Sequence, residues 1–304
     1  KVGYAIGLVD KPNARKHHEG VVPLVGGISL CITLLYFFYV NAAEINNIEV
    51  IATCLTILVL IGVADDRFDI SFKLRMGVQA VLTLIVMHHT GLSLSHVGNV
   101  FGLGVVQFPM VIDSVVTVLA VIGAINAFNM VDGIDGLLGS TALIIFSALA
   151  ILFSLSGDTV NLKFSLLIAI SIIPYLWANL QIRPVWMRKI FMGDTGSMLI
   201  GFTVVWLLIQ GSQGEQRSFS VVTALWIICF PLMDMARVML VRKLSKKSMM
   251  EADRSHLHHL LGENLLGQPS TLFIINTFSL GAAVMTARRR RPRPPRRPRC
   301  RRPR

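Results

Sequence analysis

Nine apolar stretches, each near the length needed to cross a lipid bilayer, divide this chain; they run near 21–40, 48–64, 74–90, 111–130, 137–156, 160–180, 196–211, 219–241 and 271–287. A helix needs about 20 apolar residues to span the hydrocarbon. Backbone polar groups find no water there, so each stretch has to satisfy its own hydrogen bonds as a helix. The expected fold is all-α: a polytopic integral membrane helical bundle of about nine spans, filling one domain over 1–287. Composition agrees. The chain is 53% hydrophobic and 15% charged, with a mean hydropathy of +0.64, whereas soluble domains carry roughly 25% charge. An ordinary soluble enzyme, a disordered protein and a secreted disulfide scaffold are excluded.

The formal net charge of +12 points to nucleic acid only until it is located. Residues 288–304 hold 11 of the 29 basic residues and none of the 17 acids, so the rest carries 18 basic against 17 acidic groups. No nucleic-acid partner is expected. The tail is Arg, Pro and one Cys without helical periodicity, and is expected to be disordered or an artefact such as a shifted reading frame. Residues 1–20 are charged, lack the apolar core of a signal peptide and read as a helix end, so an earlier span is expected to be missing. Cys31, Cys54 and Cys229 lie in apolar runs and Cys300 in the tail, so no disulfide is expected.

The connections fall into two sets. One is basic: 1–20 (Lys1, Lys11, Arg15, Lys16), 65–75 (Arg67, Lys73, Arg75), 181–195 (Arg183, Arg188, Lys189) and 242–270 (Arg242, Lys243, Lys246, Lys247, Arg254). The other has no Lys or Arg in 41–47, 91–110 and 157–159, and Arg217 alone in 212–218. Lys and Arg concentrate on the cytoplasmic side of membrane proteins, so the first set is expected to be cytoplasmic. Every cluster of acids, amides or histidines falls on that face, 131–136 included.

Four clusters carry chemistry. In Asp65-Asp66-Arg67-Phe68-Asp69, adjacent carboxylates invite Mg²⁺ or a basic side chain, unless they only end the span in water. In the run 126–136, Asn126, Asn129, Asp132 and Asp135 recur every third residue, with Gly133 and Gly136 breaking the helix. A helix mouth offering amides and a tight loop offering carboxylates would result; a plain C-cap explains the glycines but not four spaced polar groups. Phe191-Met192-Gly193-Asp194-Thr195-Gly196-Ser197 puts an acid at a helix start, read either as a ligand site or as an N-cap. In Asp253-Arg254-Ser255-His256-Leu257-His258-His259 the histidines suggest zinc by themselves. The other clusters are oxygen-rich and suit Mg²⁺ or Mn²⁺, which leaves the histidines and Arg254 as donors to phosphate or sugar oxygens. Asp234 and Arg237 read equally as a structural ion pair or as functional residues, and Asp10-Lys11 as site charges or loop filler. Carboxylates for a divalent cation with cationic donors opposite are the equipment of phosphoryl transfer, and their position at the membrane makes one reactant lipidic.

With these motifs, joined by 10–13 (DKPN), 23–27 (PLVGG), 231–234 (PLMD) and 257–260 (LHHL), the chain resembles the polyprenyl-phosphate N-acetylhexosamine-1-phosphate transferases from about residue 7 to 285, in their bacterial undecaprenyl-phosphate branch. The resemblance implies transfer of GlcNAc-1-phosphate from UDP-GlcNAc to undecaprenyl phosphate, giving GlcNAc-pyrophosphoryl-undecaprenol and UMP and starting a polysaccharide of O-antigen or enterobacterial common antigen type. It implies a multi-pass protein of the bacterial inner membrane with its site facing the cytoplasm, and a possible homodimer. It assigns the metal, Mg²⁺ with Mn²⁺ possible, to Asp194 with Asn129 as companion ligand. Asp65, with Asp66 beside it, becomes the catalytic aspartate that deprotonates or orients the lipid phosphate, as a base in one step or a covalent nucleophile in two. Lys11, Asp132, Asp135, Asn179 and Phe191 would lie near the nucleotide or diphosphate; Arg254, His256, His258 and His259 would contact the sugar phosphate. GlcNAc against GalNAc stays open. So do two rival readings: an intramembrane prenyltransferase with two Asp-rich motifs, and a transporter, whose acids would lie mid-span.

Overall fold

The computed structural model describes residues 2–11, 20–98, 104–182, 188–214, 217–246, 256–262 and 267–288. A short turn, α1 (Val2–Ala5), leads to β1 (Val9–Asp10), which pairs antiparallel with β2 (Val22–Pro23), Val9 opposite Pro23. The helices α2 (Gly26–Val40), α3 (Ile48–Phe68), α4 (Phe72–Thr90), α5 (Met110–Val131), α6 (Leu137–Ser156), α7 (Thr159–Asn179) and α8 (Gly193–Ser212) follow. The chain closes with α9 (Val221–Ile227), α10 (Cys229–Leu244), α11 (Leu257–Leu261) and α12 (Gln268–Arg288). The tail beyond 288 lies outside the described residues.

Every apolar stretch is helical, but not every helix is long and apolar enough to cross a membrane. Six are: α3, α5, α6, α7, α8 and residues 268–286 of α12. The stretch 219–241, read as one span, is two helices bent by 74°, and counts as a seventh span if the pair is taken together. The break has a covalent cause: Pro231 has no N–H to donate to the carbonyl of Ile227, where α9 ends. At 15 residues α2 is short, and α4 carries Lys73, Arg75, Gln79, His88 and His89 among its 19.

The bundle is organised around α8, whose apolar window is 94% buried. It packs against α2, α3, α5 and α6. A helix enclosed on all sides has to be apolar all round, and small residues bring its neighbours close. A Cβ on Gly62 would stand 2.5 Å from Thr195 Cα, one on Gly201 2.7 Å from Ile125 Cα, and one on Gly27 would collide with the backbone of Gly196. Leu24 bridges to Phe191 in parallel. The Phe191 N–H donates to Pro23 O (3.0 Å), and the N–H groups of Gly26 and Gly27 donate to Phe191 O (3.1 Å) and Met192 O (3.2 Å). The glycine-rich segment before α2 is thus stitched to the lead-in of α8, which fixes the height of Asp194. Ile32, Tyr36, Leu60, Leu119, Ile170 and Phe273 are exposed on the outside of the bundle, as lipid contact requires.

Candidate active site

The helices alternate in direction, so the C-terminal ends of α3, α5 and α7 meet the N-terminal ends of α4, α6 and α8. The acid pair lies inside α3, which runs through Phe68; Asp69, at φ 52°, caps it with its N–H on Asp65 O. Asp66 faces the start of α8. Its Oδ1 accepts from the Asp194 N–H (2.7 Å) and its Oδ2 from the Thr195 N–H (3.1 Å) and Oγ1 (2.6 Å). First-turn N–H groups have no partner in their own helix, and Asp66 supplies one from another element. Its carboxylate therefore holds Asp194 in position.

Asp65 is buried, its side chain 2% exposed, and pairs with Arg75 Nη1. That nitrogen lies 3.7 Å from Asp194 Oδ2, and the guanidinium covers the Phe72 ring at 5.8 Å. The Asp194 side chain is 40% exposed. Asn129, in the last turn of α5, donates through Nδ2 to Asp194 Oδ1 and to Ser197 Oγ (3.0 Å). Its nitrogen, not its oxygen, faces the carboxylate, so Asn129 steadies Asp194; as a companion metal ligand it would have to turn its amide over. The carboxylate of Asp194 interacts with those of both Asp65 and Asp66. Three carboxylates against one arginine leave an excess of negative charge on oxygen donors, which fits a hard divalent cation. Among the described residues no three acidic, His or Cys side chains are grouped closely enough to enclose an ion. Asp194 and Asp65 could hold one only with water and substrate phosphates completing the shell, which is how Mg²⁺ is usually bound.

A second group borders the first. Asp132 caps α5, and the turn to α6 passes through Gly136 at φ 77°, a left-handed conformation that glycine adopts without strain. Asn179, 2% exposed, ties this turn down: its Oδ1 accepts from the Gly136 N–H (2.6 Å) and its Nδ2 donates to Ile190 O (3.0 Å). Asp135 pairs with Lys189, whose Nζ lies 5.1 Å from the centre of the Phe191 ring. Asn126 instead donates to Ile122 O (2.7 Å) of its own helix. Lys11 is exposed at the end of β1.

The histidine turn closes the third side. His256 is buried, with Nδ1 2.9 Å from Asp234 Oδ2, and stacks on His258 at 14° and 5.6 Å. His258 packs on His259, 4.3 Å between ring centres, and against Gly133, where a Cβ would collide with its Nε2. Both nitrogens of His258 are buried, without a hydrogen-bond partner among the described residues. Burial, then the neighbouring rings of His259 and His256, push its pKa down to about 3, so the ring is neutral. Arg254 lies outside the described residues.

Sequence reasoning missed Arg75 and Lys189 as site residues and counted them only as loop charge. Arg75 had a signal: it lies ten residues after Asp65, and a tight reversal at 69–71 returns the first turn of α4 to the last turn of α3. Lys189 had none beyond its sign.

Glycosyl transferase family 4 matches residues 48–212. Three relatives share the name undecaprenyl-phosphate alpha-N-acetylglucosaminyl 1-phosphate transferase. That of Salmonella typhi is 45% identical over 264 residues, covering 86% of this chain and 71% of the relative. That of Escherichia coli K12 is 44% identical over the same shares. The Haemophilus influenzae protein is 42% identical over 259 residues, 84% of this chain and 72% of its own.

Proposed function

The chain belongs to glycosyl transferase family 4, and from that membership we propose that it transfers GlcNAc-1-phosphate from UDP-GlcNAc to undecaprenyl phosphate, releasing UMP and opening the synthesis of a lipid-linked polysaccharide. The observation that carries this reading is the meeting of Asp65, Arg75 and Asp194 at one end of an apolar bundle. A lipid acceptor can bring its phosphate to such a place while its tail stays in the membrane. The relatives' names support the sugar and the acceptor. The basic loops at this end support a cytoplasmic site in the inner membrane, with α2 and α4 completing the nine crossings. Acids at helix ends count against a transporter with a midplane site.

Arg75 presents a planar fork of donors suited to phosphate and receives the acceptor phosphate. Asp65 orients that guanidinium and takes the proton of a singly protonated phosphate. An acceptor oxygen then bonds to the β-phosphorus, the bond to the bridging oxygen breaks, and UMP leaves. The enclosure of Asp65 behind Arg75 favours this direct displacement over attack by the carboxylate itself. Asp194 and Asp65 would hold Mg²⁺, or Mn²⁺ through the same oxygens, and that ion would offset charge on the pyrophosphate. Lys189, Phe191, Asp132 and Asp135 border the nucleotide, His259 donates to the sugar phosphate, and His256, whose Nδ1–H goes to Asp234, offers Nε2 as an acceptor to a sugar hydroxyl.

The test is UMP release from UDP-GlcNAc by membranes carrying the protein, with and without undecaprenyl phosphate and with EDTA. Release that needs the lipid and stops with EDTA is expected. No release, under conditions where the Salmonella typhi relative is active, would contradict the proposal.

A further inference from the structure

We propose that Asp234 is a positioning residue: it clamps the histidine turn through His256 and sets which nitrogen of that ring faces the substrate. Asp234 sits on α10, after the 74° bend, with its side chain 1% exposed. Burying a carboxylate is costly unless its oxygens are hydrogen-bonded. Both oxygens go to one turn of chain more than twenty residues away: Oδ2 to His256 Nδ1 at 2.9 Å and Oδ1 to the Leu257 N–H at 2.8 Å. Arg237 Nε stands off at 3.8 Å on a side chain 35% exposed. The sequence left open an ion pair with Arg237 or a functional role; here the ion pair is the weaker contact and the link to the histidine turn the stronger.

The chemistry of the contact fixes a tautomer. A carboxylate only accepts, so Nδ1 of His256 carries the hydrogen and Nε2 of the neutral ring keeps its lone pair. The clamp also reaches past His256, since His256 stacks on His258 and His258 rests on Gly133 in the turn that bears Asp132 and Asp135. Asp234 thus sets the height of the histidine turn against the acid-bearing loop without touching substrate. The effect on turnover rests on the proposed transferase reading; the effect on the ring does not.

Asp234→Asn tests this with little change of shape. The asparagine oxygen can still accept from Leu257, but its NH₂ then faces Nδ1 and needs an acceptor there. The ¹⁵N spectrum of histidine-labelled protein, with the His256 signal assigned by its loss in His256→Asn, should change from the Nδ1–H to the Nε2–H form. Turnover measured as kcat/KM should fall about 10- to 100-fold, the usual size of losing a second-layer partner of a functional histidine. In a His256→Asn background the same substitution should cost less than about 2-fold, because residues acting as one unit are not additive. An unchanged tautomer, or losses that add in the double variant, overturns the proposal. A wild type without transferase activity would fail the proposed function and leave the spectrum to decide the clamp.

Discussion

The two ends of this bundle are built from similar polar residues and differ in how their charges are matched. At the end away from the acid cluster Glu44, Asp113 and Asp158 each have a partner of their own. Glu44 pairs with Lys163 at 3.1 Å, Asp113 accepts from Ser93 and Ser114, and Asp158 accepts from the Asn161 N–H at the start of α7. Gln213 fastens the segment 93–96 through Ser95 and His96. At the other end Asp65 and Asp194 share Arg75, Asp66 lies against Asp194, and among the described residues the buried His258 has no hydrogen-bond partner for either nitrogen. Carboxylates this close to one another repel, and a buried ring without partners costs about 1–3 kcal/mol per unsatisfied group, so folding alone does not favour this end. Local rules are broken where a site needs them broken. The ends therefore differ in kind: one pairs its charges between helices, and the other leaves two carboxylates sharing one arginine.

The sharpest break in that contrast is Asp65→Asn, which leaves Arg75 without its carboxylate. Turnover should vanish while expression in the membrane persists; more than about a tenth of wild-type activity would take Asp65 out of the reacting group. Next is Gly133→Ala, whose methyl group would displace His258. Lipid-linked product formation should drop by about 10-fold or more, and an unchanged rate would mean that the histidine turn is not coupled to the acid-bearing loop.

His258 gives a smaller effect with a defined sign. Its pKa is depressed from 6.5 to about 3 in the folded protein. The unfolded chain therefore binds a proton that the folded one refuses between those values. This stability is fully present above pH 6.5 and is lost as pH falls toward 3, at no more than about 1.4 kcal/mol per pH unit. Thermal melting in detergent at pH 7 and pH 5 should show the loss, and His258→Asn should lessen it; equal losses in both proteins would contradict the assignment. The smallest effect belongs to the opposite end. Glu44 and Lys163 are about half exposed, so Glu44→Gln should change stability by less than about 1 kcal/mol and leave turnover alone.

Much of this architecture is legible in local pattern. The apolar stretches became helices, and Gly133, Gly136 and Gly193 mark where they stop or start, because hydrophobic length and glycine conformation act within a few residues. What pairs across elements was not legible. The two acids at 65 and 66 look alike in sequence, yet one meets an arginine and the other caps a helix 128 residues away. Asn126 and Asn129 share a motif, but only Asn129 reaches an acid. The same missing N–H leaves α7 unbroken at Pro174 but accompanies the 74° bend before Pro231, a difference that only the packing decides.

Asp194, 40% exposed at the start of the most buried helix, is the residue on which the proposed reaction depends most. Its most direct test is the formation of GlcNAc-pyrophosphoryl-undecaprenol by Asp194→Asn in membranes, with the melting temperature measured alongside. Wild-type melting to within a few degrees and no detectable product at any Mg²⁺ concentration are expected. Product above about a tenth of the wild-type rate in a folded variant would contradict this dependence.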